Sequence, residues 1–309
     1  MKVQAFPYTF FQGKIVRTEE AVVPVNTNAL QYGTAVFGGI RGYYSAKDHC
    51  VSIFRLDDHY KRLLSSIKIL GCKSAYTQEQ LKKITLDLLT KNNPSVNVYF
   101  RPFAYVGNTE LGPNLANITL DFALYMIPLE EYMPLGKGLS LCVSSWQRIS
   151  DNAIPARAKV SGGYINSALA RKEATDGGFD EAIMLNSSGH VSEGSAENFF
   201  LVREGKLITP ALSEGVLEGI TRRSIIQIAS DLGIQTIERP IERSEIYIAD
   251  EAFLCGTGCQ VAWIEQIDRR IIGNGKKGEI ITLLQDKFFS VVKGEDRTYQ
   301  DWCTKVKVK

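Results

Sequence analysis

Glu193-Gly-Ser-Ala-Glu-Asn-Phe-Phe200, followed by Leu207-Ile-Thr209 and Leu217-Glu-Gly-Ile-Thr-Arg222, is the stretch that decides how this chain folds and what it can hold. It sets one carboxylate, Glu193, beside a small polar turn in which Gly194 lets the backbone approach a flat ligand closely. Phe199 to Arg203 and Lys206 to Thr209 read as two strands joined around Glu204-Gly205. Gly219-Ile220-Thr221 then opens a helix running to Leu232, with Gly233 just past its end. Free N–H groups at such a helix start, beside a short hydroxyl, make a site for a dianion.

Upstream, Lys159 sits in Ala158-Lys-Val-Ser-Gly-Gly-Tyr164, a run that is small and mostly apolar. A lysine that bonds a carbonyl must lose its proton near neutral pH, and burial favours that loss. Taken singly, each part has a plain reading: a lysine is usually a solvated surface residue, Tyr164 a helix-start aromatic, Glu193 a loop glutamate. Together they are a lysine for an aldehyde, a carboxylate for a protonated ring nitrogen, a phenol for a ring oxygen and an anion-ready helix start. Those are the parts that hold pyridoxal 5′-phosphate (PLP).

Working outward, Thr9 to Arg17 is expected as a hairpin turning at Gln12-Gly13-Lys14. Asp57 to Leu70 carries Tyr60, Leu63, Leu64, Ile67 and Leu70 at helical spacing, with Asp57 and Asp58 in its first turn and Gly71 at its end. A second helix, Gln78 to Asn92, stops at Asn93-Pro94. Val96 to Val106 and Ile118 to Ile127 read as buried strands. The Pro/Gly-punctuated segment 129–138 is the expected linker between residues 1–128 and 139–309. Beyond it come a strand at Leu139 to Ser145, a helix after Tyr164 and a strand from Glu181 to Asn186 that turns at Ser187-Ser-Gly189. The tail from Lys293 is polar and mixed, with Trp302 as its large anchor. There are no internal repeats. This mixture predicts an α+β or α/β chain of two domains.

Composition bounds the function. A net charge of +2 over 309 residues, with 44% hydrophobic and 23% charged residues, points to neither nucleic acid nor a membrane as partner. No stretch approaches the ~20 apolar residues of a membrane span. The start, Met1-Lys-Val-Gln-Ala-Phe-Pro7, has no apolar signal segment. Six scattered cysteines read as reduced thiols of a cytoplasmic protein; Cys255 and Cys259 lack the partners of a zinc site, and no metal is expected.

Three further groups carry chemistry. Cys255-Gly256-Thr257-Gly258 is a second Gly-rich turn able to present amides to an anion. Arg62 suits a phosphate, or an ordinary i,i+4 pair with Asp58. Strand alternation puts Tyr99 and Arg101 of Tyr99-Phe-Arg101-Pro102 on one face, where the arginine needs an anion, either structural or from a substrate.

The pattern resembles the class IV, fold-type IV PLP aminotransferases, and most closely the branched-chain amino acid aminotransferases. Glu193-x-Ser195-x-x-Asn198-Phe199-Phe200, Leu207-x-Thr209 and Leu217-x-Gly219-Ile220-x-Arg222 match the class signature in order and spacing. Similar matches span nearly the whole chain: Ala29-Leu30-Gln-Tyr32-Gly33, Val36-Phe37-x-Gly39-Ile40-Arg41, Phe54-Arg55, Arg62-Leu63, Tyr99-x-Arg101-Pro102, Ser144-Ser145-Trp146, Ile154-Pro155, Tyr247-x-Ala249-Asp250-Glu251 and Gly256-Thr257.

The resemblance implies a smaller N-terminal α/β domain and a larger, β-rich C-terminal domain that binds the cofactor. It implies that Lys159 bonds the cofactor and moves the proton at the substrate Cα, that Glu193 partners the ring nitrogen and that Tyr164 tunes the ring oxygen. Arg62, Ile220, Thr221 and Thr257 would hold the phosphate. Tyr99 with the Thr257 and Gly258 amides would take the substrate α-carboxylate. Phe37 and Gly39 would line the side-chain pocket, with Tyr132 beside it, and Arg101 would meet the distal carboxylate of glutamate. Tyr32 would serve a neighbouring subunit, which implies a homodimer at least. The substrates implied are L-leucine, isoleucine or valine with 2-oxoglutarate.

D-amino acid transaminases, R-selective amine transaminases and aminodeoxychorismate lyase share this scaffold and stay open. A non-catalytic PLP-fold binding protein is opposed by the intact Lys159, Tyr164 and Glu193. Three departures bear on substrate preference: Gly38 stands where the family's usual Phe-Glu-Gly-Ile-Arg has its acid, Gly258-Cys259-Gln260 replaces a small-small-Glu run, and Pro128-Leu129 lacks a tryptophan near Tyr132.

Overall fold

A computed structural model describes residues 4–133 and 135–309. Met1 to Val3, part of the start read above, and Pro134 of the expected linker lie outside the described residues. The chain forms two compact units, one made of the residues through Glu130 with Ala158–Gly162 and Ser290–Lys309, the other of Glu131–Arg157 and Gly163–Phe289. A single cut within 129–138 therefore does not separate them. The lysine segment and the C-terminal tail, expected with the second domain, lie with the first unit.

The first unit is built on a sheet whose central pair is Val98–Tyr105 and Thr119–Pro128, antiparallel from Val98↔Pro128 to Tyr105↔Asp121. The hairpin Tyr8–Phe11/Lys14–Arg17 extends one side. Its turn needs φ of 46° at Gln12 and 85° at Gly13, which explains a glycine at the second position. Ile40–Ser45 and Cys50–Phe54 extend the other side. The helices Leu56–Ile69 and Gln78–Asn92 cover this sheet, placing Tyr60, Leu63, Ile67, Leu81, Leu88 and Leu89 in one core with Val98, Phe100, Leu124 and Met126. The second helix opens on a capping box from Thr77 and ends with Asn93 at φ 44°, the residue before Pro94.

The tail departs from expectation. Cys303–Lys307 is a strand paired antiparallel with Cys50–Phe54, from Cys303↔Phe54 to Lys307↔Cys50. Tyr299, not Trp302, is its buried aromatic. Trp302 instead receives the Arg55 guanidinium over its ring at 3.4 Å.

The second unit is a mixed sheet running in space from Val191–Gly194 through Glu181–Leu185, Leu139–Val143, Gln260–Ile267, Glu251–Gly256, Asn198–Arg203 and Lys206–Thr209 to Thr236–Glu238. Leu139–Val143 pairs in parallel with both neighbours, and such pairs need long crossovers. One crossover contains the helix Tyr164–Asp176, whose Ala170 and Ala174 pack on Cys142, Ala182 and Met184. The hairpin around Glu204 (φ 51°) and Gly205 (φ 73°) forms as read. Ile220–Asp231 is the expected helix, and Gly233 past its end adopts φ 74°. No helix among the described residues is long and apolar enough to cross a membrane.

Candidate active site

The expected site residues form two sets, one in each unit. In the first unit, the Lys159 segment is held by backbone on both sides. Phe37 N donates to Lys159 O at 3.1 Å, Val160 bridges Val36, and Gly162 N donates to Gly33 O at 3.1 Å. Lys159 N donates to Ser66 Oγ at 3.4 Å, and Ser66 Oγ donates to the carbonyl of Arg62 one turn earlier on helix Leu56–Ile69 at 2.9 Å. The small residues are required here: a Cβ on Gly33, at φ 66°, would stand 2.6 Å from Gly162 Cα. Lys159 is half-buried, with Nζ 5.3 Å from the centre of the Phe37 ring.

Phe37 lies between the lysine and Arg101. Arg101 Cζ lies 4.6 Å from the centre of the same ring, and Arg101 Nη2 donates to Tyr99 Oη at 3.1 Å, so both do share a face. Arg101 Nε is buried without a hydrogen-bond partner. A buried donor of that kind suits an anionic ligand. Gly39 completes the set, because a Cβ there would fall 1.9 Å from Tyr99 Oη. The Tyr32 hydroxyl accepts from Gly112 N at 3.1 Å. Asp58 pairs with Arg55 at 3.0 Å.

In the second unit, Glu193 and Asn198 come together because the strands Val191–Gly194 and Asn198–Arg203 are joined by a tight turn, closed by Gly194 N donating to Glu197 O at 2.7 Å. Glu193 Oε2 accepts from Asn198 Nδ2 at 2.9 Å and from Leu217 N at 3.0 Å. Its Oε1 faces Arg148 Nη2 at 2.7 Å. Arg148 was missed by sequence reasoning, since nothing local to Ser144-Ser-Trp-Gln-Arg148 names a partner so far along the chain. Asn198 Nδ2 also donates to Leu217 O at 3.0 Å. Its Oδ1 fills the space a Cβ on Gly219 would need, at 1.9 Å. The glycine of Leu217-x-Gly219 is thus required by close packing on Asn198.

Gly219 leads helix Ile220–Asp231 without any side-chain cap, and Ile220 and Thr221 are buried at its first turn. The first-turn N–H groups are therefore oriented for an anion. Arg222 is a structural anchor: Nη2 donates to Pro210 O at 2.9 Å and to Glu238 at 2.7 Å. Thr257 and Gly258 lie in the turn between Glu251–Gly256 and Gln260–Ile267, closed by the Gly256↔Gln260 pair. The Tyr132 ring packs over Gly258, where a Cβ would stand 3.4 Å away. Tyr164 heads helix Tyr164–Asp176 and is half-buried.

A second buried carboxyl, Glu197, also escaped sequence reasoning. Its Oε2 accepts from Ala196 N at 3.0 Å, and it packs beside Gly194 and Gly256. Burial, then the nearby charge of Glu181, push it up to about 8. Glu181, itself buried, is paired with Arg171.

Residues 40–267 match the model of the class IV amino-transferases. The chain is 44% identical over 307 residues to a probable branched-chain-amino-acid aminotransferase of Aquifex aeolicus, covering 99% of each chain. A crystal structure of the branched-chain aminotransferase from Thermoproteus uzoniensis with norvaline superposes with a TM-score of 0.93 at 39% identity, over 98% of this chain and 99% of that one. The branched-chain amino acid aminotransferase from Thermobaculum terrenum in its PLP-form gives 0.92 at 38% identity, over 97% of this chain and 98% of that one. Matched along nearly its full length and across most of its signature, this chain belongs to the class IV aminotransferases.

Proposed function

We propose that Lys159, Tyr164 and Glu193 carry the chemistry by which this chain, a PLP-dependent branched-chain amino acid aminotransferase of fold-type IV, exchanges amino groups. The observation that carries the assignment is the setting of Glu193. An ionised carboxylate offers about four acceptor positions. Asn198, Leu217 and Arg148 fill three of them, which leaves one for the N–H of a protonated ring. The residues present therefore fit PLP. When bound, that cofactor supplies an aldehyde for the amino group and a ring that withdraws electrons from the substrate Cα.

The chain's own residues do the rest. Lys159 would hold the cofactor through its side-chain amine, and its Nζ would accept and return the proton at the substrate Cα. Glu193 holds the ring-nitrogen proton and Tyr164 donates to the ring oxygen. The uncapped helix start at Ile220 and Thr221, with Arg62 and Thr257, takes the phosphate. Tyr99 and the Thr257 and Gly258 amides take the α-carboxylate, and Phe37, Gly39 and Tyr132 border the aliphatic side chain. Arg101 takes the distal carboxylate when L-glutamate or 2-oxoglutarate is the second substrate, which its unsatisfied Nε supports. Hydrophobic floor and arginine rim together allow one pocket to serve both half-turnovers.

The working assembly in this reading is a homodimer. Its support is the exposed apolar segment that leads to Tyr32, with Val22 69%, Val25 83% and Leu30 64% exposed. A cytoplasmic setting, with six cysteines as free thiols, belongs to the same reading.

The test is the visible spectrum of the PLP-loaded protein before and after excess L-leucine. The yellow band is expected to convert to the pyridoxamine form, and 2-oxoglutarate to restore it. Conversion by D-alanine but not by L-leucine would overturn the substrate assignment. Absence of any band after reconstitution would overturn the cofactor site.

A further inference from the structure

We infer that Arg148 is a positioning residue that keeps the shared proton on the cofactor's ring nitrogen instead of on Glu193. The inference rests on the assignment of Glu193 above. The contact is direct: Arg148 Nη2 lies 2.7 Å from Glu193 Oε1, with side-chain exposures of only 12% and 5%. Arg148 is itself fixed in place. Its backbone N donates to Leu185 O at 2.8 Å and its Nε to Gly215 O at 3.3 Å. Gly215, at φ 75°, ends the short turn Leu212–Glu214 and brings that carbonyl to the arginine.

The electrostatic sign follows from this order of charges. A proton shared between a carboxylate and a ring nitrogen can rest on either. With the proton on the ring, the carboxylate is an anion in contact with a permanent cation; with the proton on the carboxyl, the arginine faces a neutral acid. Arginine stays charged throughout. It touches the carboxylate directly, so an ionised Glu193 gains more from its charge than a protonated one would. Low exposure makes the difference larger than it would be in water. Asn198 and Leu217 N, both donors to Oε2, act in the same direction.

The experiment compares holoenzymes loaded with ring-15N PLP: wild type, Arg148→Gln, Arg148→Lys, Glu193→Gln and the Glu193→Gln/Arg148→Gln pair. In Arg148→Gln the ring 15N resonance is expected to move toward its unprotonated position. The first-order rate of the L-leucine half-reaction should fall about 10-fold or more, as when a group orienting a reacting ligand from behind is lost. Arg148→Lys retains the charge and should keep most of both. In the Glu193→Gln background, removal of Arg148 should leave the resonance where Glu193→Gln alone puts it; this comparison also serves if Arg148→Gln folds poorly, because no buried carboxylate is then left without its cation.

An unchanged 15N position in Arg148→Gln with a lowered rate would mean a merely structural arginine and would overturn the inference. So would a further shift in the double variant, which would show an effect not passing through Glu193. If instead Glu193→Gln itself left the resonance at the wild-type position, the assignment of Glu193 would fail, and the inference with it.

Discussion

Replacing Glu197 by Gln should change how this protein's stability responds to pH. Glu197 is 5% exposed, and its carboxyl is pushed up to about 8 from the ordinary 4.5, first by burial and then by the charge of Glu181. Glu193 adds to the rise, while the Ala196 amide and Arg171 oppose it; Tyr132, Cys259 and Cys255 are the other titratable groups it influences. A folded value above the unfolded one means that the native state holds a proton which the unfolded chain releases. The stability from that proton is complete below pH 4.5 and is lost as pH rises through about 8. At ~1.4 kcal/mol per pH unit, the loss across that window is on the order of a few kcal/mol.

Gln has the shape of the protonated acid and keeps an oxygen for Ala196 N, but it cannot ionise. Wild type and Glu197→Gln should therefore melt close together at pH 5, and the variant should gain on wild type steadily up to pH 8. With 2–4 °C per kcal/mol in domains of this size, the gap by pH 8.5 is on the order of 10 °C. Thermal unfolding of the two holoenzymes followed by fluorescence from pH 5 to 9 measures it. A gap that stays constant over that range, or one that closes as pH rises, would refute the reasoning.

Two further predictions concern the first unit. Gly39→Ala should displace the Tyr99 hydroxyl, because the new methyl would lie 1.9 Å from Tyr99 Oη; the 3.1 Å contact from Arg101 would be lost with it. Steady-state kinetics should show kcat/KM for L-leucine falling about 100-fold, mostly in KM, as for a ~1 Å misplacement of a binding group. Lys159→Ala should abolish turnover while circular dichroism and melting stay near wild type, since the segment is held through the backbone bonds of Phe37 and Gly162. Activity near the wild-type level would remove Lys159 from its role.

Much of this was legible without coordinates. The turns at Gln12-Gly13 and Glu204-Gly205 have positive φ at both positions, and the glycine of each pair adopts it without steric cost. The helix Gln78–Asn92 was bounded at both ends by a cap and by Asn93-Pro94. Tyr99 and Arg101 could be placed on one face because side chains in a strand alternate. Glu193, Asn198, Leu217 and Gly219 could be grouped because they recur as a signature. The fold then supplied the reason for the group: one asparagine amide bridges the carboxylate and the strand-to-helix connection.

The tail was harder. Cys303-Thr-Lys-Val-Lys307 alternates in the way an edge strand does, yet its polarity reads equally well as a solvated terminus. Only the open edge of Cys50–Phe54 decides between these, because pairing energy depends on a partner elsewhere in the chain.

Turns, helix ends, the alternation within strands such as Tyr99–Arg101 and the chemical parts of the site were readable along the chain. These depend on φ, on capping groups and on spacing within a few residues, all of which are local. Tertiary structure alone decided that Arg148 is the cation on Glu193, that Glu197 is buried where Glu181 helps raise its carboxyl, and that the Lys159 segment lies with the first unit. Each of these depends on which distant groups are brought within a few ångströms. A charge or a carboxyl acquires its state from those neighbours and from the water they exclude, neither of which its own stretch of sequence specifies.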